Sequence, residues 1–221
     1  MIKYFTIYGE RCSGTNFLFH SIKENFELEF TTDFGDKHFF GFHDYTNSEK
    51  EDNTLFISII RNPISWIDSF VKKPFHIPKE NKINIETFLF NSFYSLYDDT
   101  KNEIMEDRNI ITKERYKNIF ELRSIKNNFL INELPKKVKN HLLIRYEDLR
   151  DNYETVLNFI SDKFKLVKKN NFYVKIDKYK GHRNFKYIPK PILLKKGIIN
   201  IIKKNLSLEQ ENSLGYLIKH G

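Results

Sequence analysis

The stretch Ile7-Tyr8-Gly9-Glu10-Arg11-Cys12-Ser13-Gly14-Thr15-Asn16 constrains this chain more than any other. Residues 3–8 ahead of it read as a short strand of β-branched and aromatic residues. Residues 16–26 behind it read as an amphipathic helix, with Phe17, Leu18, Ser21, Ile22 and Phe26 on one face. A glycine-bearing turn from strand to helix aims backbone N–H groups and the positive end of the helix dipole at one spot, and that geometry binds an anion. Gly9 and Gly14 have the spacing of a G-x-x-x-x-G-K-[ST] loop, yet Thr15 stands where the lysine belongs. Taken alone, the stretch fits a plain βα turn with a Ser or Thr cap equally well.

A second segment breaks the tie. Leu55-Phe56-Ile57-Ser58-Ile59-Ile60 is a nearly continuous apolar run, as expected of a strand buried in a parallel sheet. It ends in Arg61-Asn62-Pro63, and residues 64–71 read as a helix whose first turn suits Pro63. A nucleoside triphosphatase often has a metal-organising Asp at the end of such a strand. Here the residue is Arg61. A carboxylate would help to hold Mg²⁺, whereas a guanidinium binds a phosphate directly and bidentately. Ser69 follows eight residues later, about two helical turns on, where its hydroxyl is expected to join Arg61 on the same anion.

These residues carry a family resemblance. Arg11-Cys12-Ser13-Gly14-Thr15-Asn16 resembles the 5′-phosphosulfate loop of sulfotransferases that use 3′-phosphoadenylyl sulfate (PAPS). Arg61-Asn62-Pro63 followed by Ser69 resembles their 3′-phosphate motif. The likeness is closest to the subgroup whose loop reads Gly-Glu-Arg-x-Ser-Gly-Thr-Asn. That subgroup also has a Lys-His pair after the first helix, here Lys37-His38, and a Trp, a Ser and a Lys-Pro after the second segment, here Trp66, Ser69 and Lys73-Pro74. Further along, Glu121-Leu122-Arg123-Ser124-Ile125-Lys126 resembles a family helix and Arg145-Tyr146-Glu147-Asp148-Leu149 its strand-to-helix junction. Tyr179-Lys180-Gly181 resembles the lysine-glycine loop over the nucleotide, and Leu214-Gly215-Tyr216 a common ending. One departure is plain: Cys12 occupies the position before Ser-Gly-Thr where many members have the basic residue, and Arg11 lies one residue earlier. The resemblance implies PAPS as donor and its desulfated form PAP as product. It assigns nucleotide binding to Arg11, Cys12, Ser13, Gly14, Thr15, Asn16, Arg61, Ser69, Lys180 and Gly181, and the reacting centre to Lys37 and His38.

Strands alternating with helices imply an α/β fold, a P-loop-like parallel sheet with helices on both faces in three α/β/α layers. Ligands of such sheets bind beyond the carboxyl ends of the strands, where both anion segments fall. A third strand is expected at residues 141–146 and a helix at 153–164, and Ser207 with Gln210 has the pattern of a capping box for the last helix. The length of 221 residues fits a single domain, 1–221, with a helical lobe at about 85–134. The net charge of +8 suits anionic ligands. A single cysteine excludes an intrachain disulfide and a thiolate zinc site. No signal peptide and no apolar run of about 18 residues is present, so a cytoplasmic enzyme without a membrane span is expected.

Sulfuryl transfer asks for in-line geometry, stabilisation of charge on the equatorial oxygens, and a base for the acceptor hydroxyl. No metal is required. A base titrating near neutral pH favours His or Glu. His38 is the first candidate and His43, beside Asp44, the second; Lys37 is placed to stabilise the sulfuryl oxygens. Arg123 and Lys126, three apart on a helix, either contact nucleotide or acceptor or form a solvated face. Glu147 and Asp148 read as structural, capping the helix that follows. The leading expectation is therefore a PAPS-dependent sulfotransferase acting on a hydroxyl acceptor such as a carbohydrate or small molecule. A P-loop nucleotide kinase or NTPase is disfavoured by Thr15 and Arg61. A basic nucleic-acid-binding protein is disfavoured because it leaves both anion segments unexplained.

Overall fold

The computed structural model describes residues 1–45, 49–97, 102–177 and 191–218. The chain is an α/β protein built on a four-stranded, all-parallel sheet in the order β2-β1-β3-β4. Its strands are β1 (Tyr4–Tyr8), β2 (Glu29–Phe30), β3 (Thr54–Ile60) and β4 (His141–Arg145). The helices are α1 (Thr15–Asn25), α2 (Glu49–Asp52), α3 (Pro63–Lys72), α4 (Ile85–Phe90), α5 (Ile119–Asn128), α6 (Leu134–Lys137), α7 (Tyr146–Asp151), α8 (Tyr153–Phe164), α9 (Lys196–Asn205) and α10 (Leu208–Ser213). The strands and helices expected at both anion segments, and those at 141–146 and 153–164, lie within one residue of these bounds.

Two compact units are present, Met1–Arg61 with Leu130–Lys190, and Asn62–Phe129 with Pro191–Gly221. The first contains the sheet. All seven residues of β3 are buried, as a strand with parallel neighbours on both sides requires. On one face Leu55, Ile57 and Ile59 join Phe5, Ile7, Leu142 and Ile144, and Leu18, Ile22 and Phe26 from α1 and its end, with Leu157 and Ile160 from α8, cover them. On the other face Phe56 meets Tyr8, Phe34 and Tyr45, with ring centroids 6.2, 4.9 and 6.0 Å away. An aromatic loop rather than a helix supplies these contacts within the unit. Ser58 Oγ lies 2.9 Å from His141 Nε2, so this fully buried hydroxyl ties β3 to β4.

In the second unit, Asn62 Oδ1 accepts from the N–H groups of Ile64 and Ser65 and Pro63 occupies the first turn, which together start α3. Asn84 and Thr87 form a reciprocal capping box at α4. The core here is aromatic: Phe70 stacks on Trp66, Phe88 and Phe93. Beside it lie two buried ion pairs. Arg123 makes a bidentate pair with Glu211, at 2.5 and 2.8 Å, and its guanidinium lies over Trp66. Lys126 donates to Asp107, which also accepts from Ser95 Oγ at 2.5 Å.

This corrects the expectation for Arg123 and Lys126, which form no solvated face: their exposures are 5% and 1%, and carboxylates of the same unit meet their charges. The capping box expected at α10 is likewise absent. Ser207 occupies the cap position without a side-chain bond, and Gln210 Nε2 donates instead to Ser124 O, because the longer side chain finds a carbonyl on α5. Removing one partner of a buried pair strands the other charge. Lys126→Ala is expected to cost about 3–5 kcal/mol in urea unfolding, while replacing Lys126 and Asp107 together with Met and Leu should cost much less. Equal losses in the two variants would show that the charge pair is not the source of the cost.

Candidate functional site

Beyond the carboxyl end of β1 the chain turns sharply into α1. Cys12 has a φ of 63° and Gly14 a φ of 103°, both in the left-handed region. Gly14 is the residue just before α1, and no side chain caps that helix. The first N–H groups of α1 are therefore offered to whatever sits in front of them. By contrast, the start of α3 is already capped by Asn62. Ser13 is 2% exposed, and its buried Oγ has no hydrogen-bond partner. A buried hydroxyl left without a partner costs free energy, and a ligand oxygen would remove that cost.

Gly9 and Gly14 are set by contacts as much as by conformation. A Cβ on Gly9 would lie 2.5 Å from Ile59 O and 2.8 Å from Ser13 Oγ. One on Gly14 would lie 2.4 Å from Tyr146 Cδ2. The face of Tyr146 also carries the Arg61 guanidinium, 4.8 Å from the ring centroid, and Arg61 Nη1 donates to Cys12 O at 3.0 Å. Arg61 thus leaves the end of β3 and reaches the loop between β1 and α1, holding the left-handed Cys12 by its carbonyl. Cys12 contributes backbone here; its side chain is half-buried.

The Lys37-His38 pair lies against the same loop. Gly9 N donates to Lys37 O at 3.0 Å, and His38 Nδ1 lies 2.7 Å from Gly9 O. A carbonyl oxygen only accepts, so Nδ1 carries the proton and Nε2 presents a lone pair. Loss of water holds the His38 imidazole down at about 4, against the opposing pull of the Gly9 carbonyl and Glu10. That lies below the neutral range expected from the residue type, because the half-buried ring charges at a cost. Lys37 Nζ donates to Asn16 Oδ1 at 2.9 Å, which holds an ammonium beside the first turn of α1. An ammonium thus stands beside the start of α1 although position 15 is threonine.

The remaining expected residues divide. Arg11 is buried, pairs with Glu10 at 2.8 Å and lies over the Phe39 ring. Glu10 also accepts from Arg11 N at 2.7 Å, so this pair stiffens the loop. Thr15 is buried at the start of α1. Ser69 is half-buried in α3, in the second unit. Lys180 and Gly181 lie outside the described residues. His43 is exposed, edge-on to Phe34 and Tyr45, and no hydrogen bond joins it to Asp44. Glu147 and Asp148 sit within the first turn of α7, where Asp148 takes both arms of Arg145 at 2.7 Å and makes no cap. Sequence reasoning missed Tyr146 as the floor under Gly14 and Asn16 as the tether of Lys37. The signal for Tyr146 was its place directly after β4, next to the end of β3; Asn16 offered none beyond membership of the loop.

Gly14→Ala is expected to destabilise the chain by about 1–3 kcal/mol, since the new methyl meets Tyr146 and the left-handed conformation is strained. Adding Tyr146→Ala should not restore stability, because the strain at φ +103° persists. Thermal unfolding measures both, and full recovery in the double variant would assign the whole cost to the clash.

No protein-family model matches the chain, and neither the curated proteins nor the solved structures include a match to it.

Proposed function

We propose that this chain is a sulfotransferase that moves a sulfuryl group from PAPS to a hydroxyl acceptor, on a P-loop-like sheet in three α/β/α layers. The observation that carries the reading is the buried, unpartnered Ser13 Oγ at an uncapped helix start, with Lys37, Arg61 and His38 around the same loop. Every group in that ring except His38 Nε2 is a donor or a cation, the set a phosphosulfate needs. The residues therefore fit the nucleotide. Among the described residues, no group of three or more His, Cys, Asp or Glu could hold a metal ion.

When bound, PAPS supplies the activated sulfuryl group. Ser13 Oγ and the N–H groups of Gly14, Thr15 and Asn16 would hold the 5′-phosphosulfate, and Arg61 would take the 3′-phosphate. Lys37, held by Asn16, stabilises negative charge on the transferring oxygens and the leaving phosphate. His38, with its Nδ1 proton on Gly9, accepts the acceptor's proton at Nε2. Arg61 thus has a double duty, bracing Cys12 and binding phosphate, and the guanidinium has donors enough for both. An acceptor with a free hydroxyl, a carbohydrate or another small molecule, completes the reaction.

Calorimetry with PAP tests the nucleotide reading. PAP is expected to bind more tightly than adenosine 5′-phosphate, and Arg61→Ala should weaken PAP by roughly 2–4 kcal/mol. Ser13→Ala should cost about 1 kcal/mol. Equal affinity for the two nucleotides in the wild-type protein would remove the 3′-phosphate assignment, and Mg²⁺-dependent hydrolysis of a nucleoside triphosphate would favour the kinase or NTPase reading.

The base has its own test. His38→Ala should lower turnover roughly 10²–10⁴-fold with PAP affinity nearly unchanged. Because the free imidazole is the active form and its pKa is lowered to about 4, kcat/KM should rise through that region and be level at neutral pH. A large loss in His43→Ala with none in His38→Ala would move the base five residues along the chain.

A further inference from the structure

The basic character of this chain is confined to one stretch. Between Asp177 and Glu209 there are nine lysines and arginines and no acidic residue, whereas the rest of the chain has 28 basic residues against 29 acidic. The described end of this stretch, residues 191–208, contains four lysines and no aromatic residue. It includes α9, whose apolar residues Ile198, Ile199, Ile201 and Ile202 occupy one arc, with Ile202 fully buried as the anchor. Lys196, Lys203 and Lys204 fall on the opposite arc by helical spacing, and Lys195 precedes the helix.

Just ahead of α9, Ile192 is 46% and Leu193 69% exposed. Their exposure is built in. Leu193 N donates to Asp68 Oδ1 at 3.0 Å, and Asp68 is a buried carboxylate of the same unit that also pairs with Lys72. The backbone is fastened while the side chain points away. A Cβ on Gly197, in the first turn of α9, would meet nothing within 4 Å, so this side of the helix is open.

From this arrangement we propose that residues 191–206 form a peripheral docking surface for an anionic lipid bilayer. Ile192 and Leu193 enter the headgroup boundary, and the lysines of α9 meet lipid phosphates and carboxylates. No helix among the described residues is long and apolar enough to cross a membrane, so α9 lies in the plane. A single-stranded nucleic acid is the poorer fit, since it seeks aromatic platforms and this stretch has none. A second copy of the chain would set lysines against lysines.

Flotation of the full chain with vesicles tests the surface. Vesicles of phosphatidylcholine and phosphatidylserine should bind it, and phosphatidylcholine alone should not. Gly197 allows a test of sign at a position with room for any side chain. Gly197→Glu should weaken partitioning and Gly197→Lys strengthen it, each by roughly fivefold per unit of charge. Leu193→Ser should weaken it by roughly tenfold or more. Raised salt should release the protein. PAP affinity should be unaltered in all three variants, and the two Gly197 variants should be no less stable to heat than the wild-type protein, since glycine costs about 1 kcal/mol within a helix. Absence of binding to the anionic vesicles, equal binding to neutral ones, or Gly197 variants with the same affinity would overturn the proposal. So would a single-stranded oligonucleotide that binds through the same lysines while vesicles do not, or self-association that Leu193→Ser abolishes.

Discussion

Gly9 is the point on which the candidate site depends. Its Cα lies so near the end of β3 that a methyl group would come within 2.5 Å of Ile59 O. That closeness leaves β1 and β3 ending together, and so sets the loop before α1 beside Arg61. Both polar groups of Gly9 are used as well, the N–H by Lys37 and the carbonyl by His38. One residue without a side chain therefore fixes the spacing of the sheet edge, the course of the loop and the tautomer of the imidazole.

Tyr146 plays the matching part underneath. It closes on Gly14 and supports Arg61, whose bond to Cys12 keeps the loop in its left-handed turn. The loop is thus held between an aromatic ring below and a backbone partner at its side. With so much of the loop fixed, little ordering would remain for a ligand to impose, which is what preorganisation requires. Glu10 and Arg11 contribute by neutralising one another within the loop, which keeps the net field at the helix start positive through Lys37 and Arg61.

Burial works in two senses. In the second unit, the Arg123 and Lys126 charges are taken out of water and consumed by Glu211 and Asp107, so they stabilise a packing arrangement. At His38, desolvation keeps the ring neutral and leaves Nε2 as an acceptor. The same physical effect is answered by carboxylates in the first case and lowers the imidazole's affinity for a proton in the second. Arg123 and Lys126 each meet a carboxylate directly, whereas the pull of Glu10 and Asp36 on His38 does not offset its desolvation.

The sequence by itself determined the local elements of the site. The β-branched and aromatic residues of β1, the apolar run of β3, the glycine turn and the Arg61-Asn62-Pro63 boundary are all readable because each rests on residues within one turn or one strand of each other. Only the tertiary structure decided what those residues touch. The bond from Arg61 to Cys12 spans 49 positions and that from Arg123 to Glu211 spans 88. Asn16 meets Lys37, and Gly14 meets Tyr146, for the same reason. A periodic pattern fixes which face of an element is apolar, but not which partner the folded chain brings to a given polar group. That choice is made by strand order and packing, and it placed Arg123 and Lys126, expected either at a ligand or on a solvated face, in core ion pairs while tying the loop, Lys37 and His38 together.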